Sequence, residues 1–410
     1  YGLNLGLGWN WQHPVPTLAP PKTPWRFLSL TADPPLTADE LATYLPTVPR
    51  EQAARWVQLK LLGRHEYSLE DRATDLVRRV LAAKLQGAEA VFASEPFDAD
   101  HGLMDSDGRP SDLFLPWRTT ALTLGGAEAL ESMRLPQGSS AQVFLRDNDA
   151  TMVAWNRRPT EEKLYLGEDA RLVDLWGHEE PLAKSEAGHR LRLGPVPAFV
   201  IGLDKSIALW RHGCVLGSDR IPSVFNQRQT NRIEFRNTFD QPVTGTVTLH
   251  TSEPWGVRPD RFTFRLKPAE VFRQDLELTL PSNANSGLHV LRANFELTGD
   301  RACRFSAYRT IQVGLGDVRI DLTAHLNHKG ELEVQQWTVN EGDKPVELRC
   351  QLFAPGRQRL TTQVVGLSRG QDLKVFRFPE GRDLVGKTLW LQAQETNGPQ
   401  VLNYRFVAEP

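Results

Sequence analysis

The segment AQVFLRDNDATMVAW, residues 141–155, decides the fold class of most of this chain. Its two apolar runs, Gln142–Arg146 and Thr151–Trp155, each have the length and the β-branched and aromatic content of a strand. Between them stands Asp147-Asn148-Asp149, residue types that favour tight turns because their side chains hydrogen-bond the nearby backbone. The segment therefore predicts a β-hairpin, and it marks a change of pattern along the chain.

The same β pattern continues from this hairpin to the C-terminus. Short apolar runs recur at spacings of roughly 10 to 20 residues, as they do in β-sandwiches. Further blocks of alternating runs begin near Ser223 and near Asp317, and each is about the size of an immunoglobulin-like sandwich. We therefore predict three β-sandwich domains, at residues 131–215, 216–315 and 316–410.

The first 130 residues combine helical and strand patterns instead. The clearest element is a helix that Ser68 can cap and that ends at Gly87, with an apolar stripe between them. A buried strand follows at Ala90–Ala93, and a helix followed by a buried strand is typical of α/β proteins. Around these elements we predict a loop at 2–24, a strand at Trp25–Leu30 and helices at Glu51–Leu62 and Arg118–Leu130.

Composition excludes several classes of protein. With 40% hydrophobic and 24% charged residues, the chain can bury a core, which excludes disorder and collagen. No run approaches the roughly 18 apolar residues of a membrane helix, and a net charge of −2 predicts no nucleic-acid partner. Cys214, Cys303 and Cys350 match no zinc or disulfide pattern, and the glycines match no phosphate-binding motif, so we predict no metal and no cofactor.

The region after the predicted helix resembles a known enzyme family. Ala90–Phe97, the loop His101–Pro110 and the segment Pro116–Ala121 resemble the last strand, loop and helix of the (β/α)8 barrel in retaining glycoside hydrolases that include xylosidases and iduronidases. Val153–Asn156 and Val173–Gly177 look like the β-sandwich beside such barrels. The resemblance implies a partial (β/α)8 barrel at residues 1–130, since a whole barrel takes roughly 250 residues. We therefore expect Tyr1 to lie inside a domain of a longer bacterial protein.

The second β block resembles another module of carbohydrate enzymes. Glu234–Asn237, Pro254–Val257 and Leu266–Glu270 are similar to the immunoglobulin-like domain attached to α-galactosidases. The family usually has glycine at the position of Ala269. Together the two resemblances imply a secreted or cell-envelope protein with a carbohydrate partner.

The resemblance also implies that the main catalytic groups are missing from this chain. Retaining glycosidases use two carboxylates about 5 to 5.5 Å apart, and the family carries them after the fourth and seventh barrel strands. The fourth strand would precede residue 1. After Leu30 the chain has Asp33, followed by two prolines, instead of a glutamate, and we interpret Asp33 as a turn residue.

Five residues remain as candidates for a site. Glu95 is the candidate catalytic carboxylate, because active sites of barrels lie at the C-terminal ends of strands, and an ion pair or a cap is its alternative role. Asp98 and His101 are candidate substrate-binding residues, as are Trp9 and Trp11, which can stack on sugar rings or pack in the core. A metal site at His101 lacks a second histidine at helical spacing.

Two hypotheses of function follow. In the first, the chain is the C-terminal part of a glycoside-hydrolase-like protein that cleaves or binds carbohydrate, while the chain alone is inactive. In the second, it is a non-catalytic carbohydrate-binding, adhesion or structural protein with a degenerate barrel.

Overall fold

The computed structural model describes residues 6–14, 27–47, 54–185, 188–298 and 302–408. The chain divides into two compact units, Tyr1–His212 and Gly213–Pro410. Strands hold 51% of the residues and helices 14%. The protein is therefore mostly β, and the seven sheets that the described residues form fit β-sandwich domains.

The first unit begins with a four-stranded parallel sheet. The strands pair in chain order, β1 (Gly6–Asn10), β2 (Phe27–Ala32), β3 (Ala54–Leu59) and β4 (Ala90–Ala93). Three helices accompany it, α1 (Ala38–Tyr44), α2 (Leu69–Leu85) and α3 (Phe114–Leu124), with a short 3-10 helix at Leu45–Thr47. The helix α2 is marked at both ends, because the Ser68 hydroxyl accepts the backbone N–H of Asp71 and Gly87 follows with a positive φ of 77°.

The rest of the first unit is antiparallel. A six-stranded sheet has the order β10-β9-β13-β7-β6-β5 and a three-stranded sheet the order β11-β12-β8, before helix α4 (Lys205–Gly213). The bounds of these strands are β5 Glu128–Arg134, β6 Ser140–Arg146, β7 Asp149–Trp155, β8 Thr160–Leu164, β9 Arg171–Val173, β10 Glu179–Pro181, β11 Ala183–Ser185, β12 Gly188–Leu193 and β13 Ala198–Leu203.

Two cores lie on opposite faces of the six-stranded sheet. Phe144, Val153 and Phe199 join the core of the helices and the parallel sheet. Met152 and Val200, one position away on the same strands, join a second core with the three-stranded sheet. Because successive side chains of a strand point to opposite faces, a sheet covered on both sides needs the continuous apolar run that β7 carries.

The described residues of the second unit form four sheets. The first pair has the orders β14-β16-β20-β18 and β15-β22-β21-β17-β19, and the second pair β23-β24-β27 and β26-β25-β28-β29. A 3-10 helix lies at Gly381–Leu384. The strands are β14 Val215–Leu216, β15 Arg220–Pro222, β16 Arg228–Arg236, β17 Val243–Thr251, β18 Gly256–Arg258, β19 Arg261–Leu266, β20 Val271–Thr279, β21 Gly287–Thr298, β22 Cys303–Gly314, β23 Val318–Leu326, β24 Leu332–Asn340, β25 Val346–Phe353, β26 Leu360–Leu367, β27 Gly370–Phe378, β28 Thr388–Glu395 and β29 Val401–Val407.

The interpretation of residues 1–130 as part of a (β/α)8 barrel is wrong. Within the described residues the parallel strands form an open sheet, whose edges are β1 and β4, and only four α-helices occur in a chain that is mostly strand. Alternating helices and strands specify parallel pairing locally, but closure into a barrel also needs a consistent tilt and stagger of all its strands. Because the resemblance to glycoside hydrolases depended on the barrel, it is wrong as well.

Several local predictions in this region were tested by the structure. The hairpin at 141–155, the helix from Ser68 and the strand Ala90–Ala93 are confirmed. The helix predicted at Glu51–Leu62 is wrong, because Ala54–Leu59 forms a strand with alternating burial. The predicted loop at 2–24 contains β1, while Trp25, at the start of a predicted strand, lies outside the described residues. The predicted domain boundaries stay predictions.

Within the described part of the chain, the helices are too short or too polar to cross a membrane.

Candidate functional site

The two faces of the parallel sheet differ in burial. On one face Leu30, Ala32, Val57 and Leu59 are buried in the core with the helices. The alternate residues of the same strands form the other face, which we call the open face: Asn10, Phe27, Ser29, Thr31, Trp56, Gln58 and Phe92. Apart from the buried Ser29, these residues are half-buried or exposed. The open face is thus the accessible side of a parallel sheet, a type of sheet that is usually covered on both sides.

An aromatic row crosses the open face from β2 to β4. Phe27 and Trp56 stack with their ring centroids 3.8 Å apart and their planes at 10°, and Phe92 lies 5.4 Å from Trp56 at 57°. Phe92, on the edge strand, is 41% exposed. The row needs glycine at position 6, because a Cβ there would stand 1.9 Å from the Phe27 ring.

Polar side chains lie beside this row. Gln58 Nε2 donates to Ser29 Oγ at 2.9 Å, and Thr31 pairs in register with Asn10 and Gln58. The Asn10 side chain donates to the backbone carbonyl of Asp33. The open face thus combines an aromatic surface with hydroxyl and amide groups.

A charged cluster stands at the C-terminal edge of the same sheet. Lys60, directly after β3, places its Nζ 3.3 Å from Asp33 Oδ2 and 3.8 Å from Glu95 Oε2. The side chains of Asp33 and Glu95 are 41% and 53% exposed. Each follows a different parallel strand, and ligands of open parallel sheets bind at this edge. Glu95 therefore lies in an ion pair, the alternative considered for it from the sequence.

Three side chains hold the backbone that carries Lys60. Arg79 Nη1 donates to the carbonyl of Lys60 at 2.7 Å, and Arg72 Nε donates to that of Leu62 at 3.0 Å. His101 Nδ1 lies 2.9 Å from the carbonyl of Leu61. Since a carbonyl can only accept, Nδ1 carries the proton. The structure thus places His101 in a positioning role for residues 60–62.

Asp98 and Asp100 organise the loop that follows β4. Asp98 Oδ1 accepts the backbone N–H of His101 at 2.7 Å and of Asp100 at 2.9 Å, and these bonds lower the pKa of Asp98. Burial alone would raise the pKa of Asp100, but the backbone N–H groups of His65 and Arg64 outweigh it, and the pKa is lowered. Asp98 therefore has its partners within this loop, and Asp100 has its partners in the loop that follows β3.

The two candidate tryptophans bind other parts of the chain. Trp9 packs with the helix-side core and its Nε1 donates to Tyr44 Oη at 3.1 Å. Trp11, beyond the end of β1, donates to the carbonyl of Pro34 at 2.8 Å and packs against the same core. Both indoles are half-buried. Trp9 pairs in register with the buried Leu30 and so lies on the helix side of the sheet, and Trp11 follows the end of β1. Neither tryptophan belongs to the aromatic row of the open face.

Sequence reasoning did not identify Lys60 or the residues of the aromatic row as parts of a site. Trp56 and Gln58 stood inside the wrongly predicted helix, although the run Arg55-Trp56-Val57-Gln58-Leu59 carries the period of two that identifies a strand. Among the described residues, no group of three or more His, Cys, Asp or Glu side chains is arranged to hold a metal ion.

Comparisons with known proteins identify no family for this chain. No protein-family model and no curated protein matches it. Matching solved structures include a transglutaminase of red sea bream, at 12% identity and a TM-score of 0.23 over 48% of this chain and 31% of the other. The YadV chaperone matches at 13% identity and a TM-score of 0.19, over 47% of this chain and 100% of the other.

A DUF4785 family protein of Legionella pneumophila matches at 12% identity and a TM-score of 0.20, over 69% of this chain and 88% of the other. The transglutaminase match thus spans under a third of that enzyme. None of the three is described as a glycoside hydrolase, and likenesses this low carry no argument about function.

Proposed function

We propose that this protein binds carbohydrate on the open face of its parallel sheet and does not cleave it. The single observation that carries the proposal is the accessible aromatic row of Phe27, Trp56 and Phe92 beside the polar pair Ser29–Gln58. A sugar ring has apolar C–H faces and a rim of hydroxyls. Aromatic side chains offer a large rigid apolar surface to such a ring, and a few fixed polar groups orient it.

The charged edge of the sheet supports the same proposal. Carboxylates and amines are good partners for sugar hydroxyls, because a hydrogen bond to a charged group is roughly twice as strong as a neutral one. Asp33, Lys60 and Glu95 stand at the edge where open parallel sheets bind their ligands. Arg79 and Arg72 keep this edge in place through the backbone.

The surroundings of the two carboxylates favour binding over catalysis. A glycosidase keeps its acid in an apolar pocket, whereas Glu95 is 53% exposed and contacts Lys60, the same cation that Asp33 contacts. We therefore expect no hydrolysis of aryl glycosides by the chain. Turnover that disappears in Glu95→Gln would contradict the non-catalytic role.

The binding test compares two exposed phenylalanines. Phe92 belongs to the aromatic row, whereas Phe97, 62% exposed, lies in the loop after β4. In affinity electrophoresis through gels containing soluble polysaccharides, we expect at least one polysaccharide to retard the protein. Phe92→Ala should weaken that retardation about tenfold, the size of losing one aromatic anchor, and Phe97→Ala should leave it within about twofold.

Two results would overturn the proposal. One is the absence of retardation in every polysaccharide. The other is an equal effect of the two substitutions, because binding would then lie elsewhere on the surface. Circular dichroism of both variants serves as the control for folding, and both side chains are exposed enough to be removed without loss of a core.

A further inference from the structure

A cleft lies in the first unit, away from the open face. It has a volume of about 570 Å³ and is walled by α1, α2 and residues of the six-stranded sheet. Its lining includes Asp39, Arg78, Ser140, Gln142, Trp155 and Arg157. Ligand sites for small molecules typically measure about 300 to 1,000 Å³, so the cleft is large enough for a monosaccharide-sized ligand.

Arg78 is fixed at this cleft by two contacts. Its guanidinium carbon stands 5.7 Å from the centre of the Trp155 ring, which is a cation–π contact. Its Nη2 donates to the carbonyl of Pro195 at 3.0 Å. A guanidinium that is already ordered loses little conformational entropy when it binds an anion.

The charge of Arg78 is incompletely satisfied. Its Nε is buried and has no hydrogen-bond partner among the described residues. Burial lowers the pKa of Arg78, whereas the carboxylates of Asp39 and Asp75 raise it and the neighbouring Arg157 lowers it. An anion in the cleft would offset both the desolvation and the repulsion between the two arginines.

The lining defines the chemistry of that anion. Two arginines against one aspartate leave the cleft with one excess positive charge, which suits a single carboxylate. The planar guanidinium matches a carboxylate in a bidentate geometry. Ser140 and Gln142 add neutral hydrogen-bonding groups to the wall, and inorganic phosphate would leave most of the volume empty.

We propose that this cleft is a second ligand site, which binds a small sugar acid with its carboxylate toward Arg78 and Arg157. The site is separate from the open face, and the proposal does not depend on carbohydrate binding there. Its ligand is a hydroxylated ring with one carboxylate, and D-glucuronate is the probe for it.

Isothermal titration calorimetry of the full chain tests the site. Sodium D-glucuronate should bind, D-glucose should bind at least about tenfold more weakly, and added salt should weaken glucuronate binding because its charge contact is screened. Arg157→Gln should weaken glucuronate binding about tenfold, as expected for the loss of one hydrogen bond to a charged group. The adjacent Arg158 is also exposed but does not line the cleft, so Arg158→Gln is the matched control and should bind like the parent.

The outcomes are distinct. Absence of glucuronate binding, or equal binding by the two arginine variants, overturns the site. Inorganic phosphate that binds as tightly as glucuronate overturns the ligand class. Phe92→Ala in the polysaccharide gels tests the open face and Arg157→Gln in calorimetry tests the cleft, so a failure of the open face and a failure of the cleft are recognised separately.

Discussion

The six-stranded sheet and the parallel sheet of the first unit differ in how many of their faces are buried. In the six-stranded sheet, Val153 and Met152 enter cores on opposite sides of β7. In the parallel sheet, Val57 is buried while its neighbours Trp56 and Gln58 are half-buried on the other side.

This difference separates a structural sheet from a candidate binding sheet. The doubly covered sheet holds continuous apolar residues, and any change of volume there is felt by a packed core. The singly covered sheet carries aromatic, hydroxyl and amide groups on its accessible side. We therefore expect the removal of a buried side chain from the first sheet to cost stability, and the removal of an exposed side chain from the open face of the second to cost ligand binding.

The largest effect on stability is expected when one phenylalanine is removed from each of the two sheets in turn. Phe144 is fully buried, and Phe144→Ala should lower the free energy of unfolding of the first unit by about 3 to 5 kcal/mol, through lost burial and a cavity. Phe92→Ala should cost less than about 1 kcal/mol. Urea unfolding of the full chain measures both, and similar costs would show that the open face is packed as tightly as the core.

An intermediate effect on stability is expected from a glycine-to-alanine substitution in β1, where two glycines differ in the space around them. Gly6→Ala puts a Cβ 1.9 Å from the Phe27 ring, whereas the nearest atom to a Cβ at Gly8 is 3.8 Å away. We expect Gly6→Ala to cost about 1 to 3 kcal/mol, since overpacking displaces the aromatic row. Gly8→Ala, the matched control, should stay within about 0.5 kcal/mol. Equal unfolding midpoints of the two variants would mean that the row does not depend on the glycine.

The smallest effect concerns the loop at the edge of the open sheet and its dependence on pH. The pKa of Asp98 is lowered in the folded protein by hydrogen bonds from the backbone N–H groups of His101 and Asp100. The stability it provides is present above the unfolded pKa of about 3.9 and is lost as the pH falls through the lower folded value.

Hydrogen exchange of the amides of His101 and Asp100 measures this contribution. Between pH 5 and pH 2.5, protection corrected for intrinsic rates should fall a few-fold in the parent. In Asp98→Asn, whose amide does not titrate, the corrected protection should stay constant. A parallel fall in the variant would assign the loss to other groups of the loop.

Much of the local structure could be predicted from the sequence. The turn residues 147–149 and the apolar runs around them were sufficient for the hairpin, and Ser68 and Gly87 were sufficient for the ends of α2. Such features depend on side chains that act on their own or adjacent backbone. The mostly-β character of the chain follows from many repetitions of these local signals.

The site was predicted less well, because its residues are distant in the sequence. Glu95 was identified, but its partner Lys60 lies 35 positions earlier and has no motif of its own. Trp56 was assigned to a helix because Ala53, Ala54, Val57 and Leu61 recur at helical spacing. Only pairing with β2 and β4 makes that segment a strand.

The sequence by itself determined elements such as the hairpin at 141–155, helix α2 and strand β4, because capping, turn formation and apolar runs act between residues close along the chain. The tertiary structure alone decided that the parallel sheet stays open, that Phe27, Trp56 and Phe92 share one accessible face, and that Lys60 joins two carboxylates. These outcomes depend on which strands pair and which faces are covered. Both depend on the free energy of packing between segments that are distant in the sequence, and this free energy cannot be read from a short stretch of sequence.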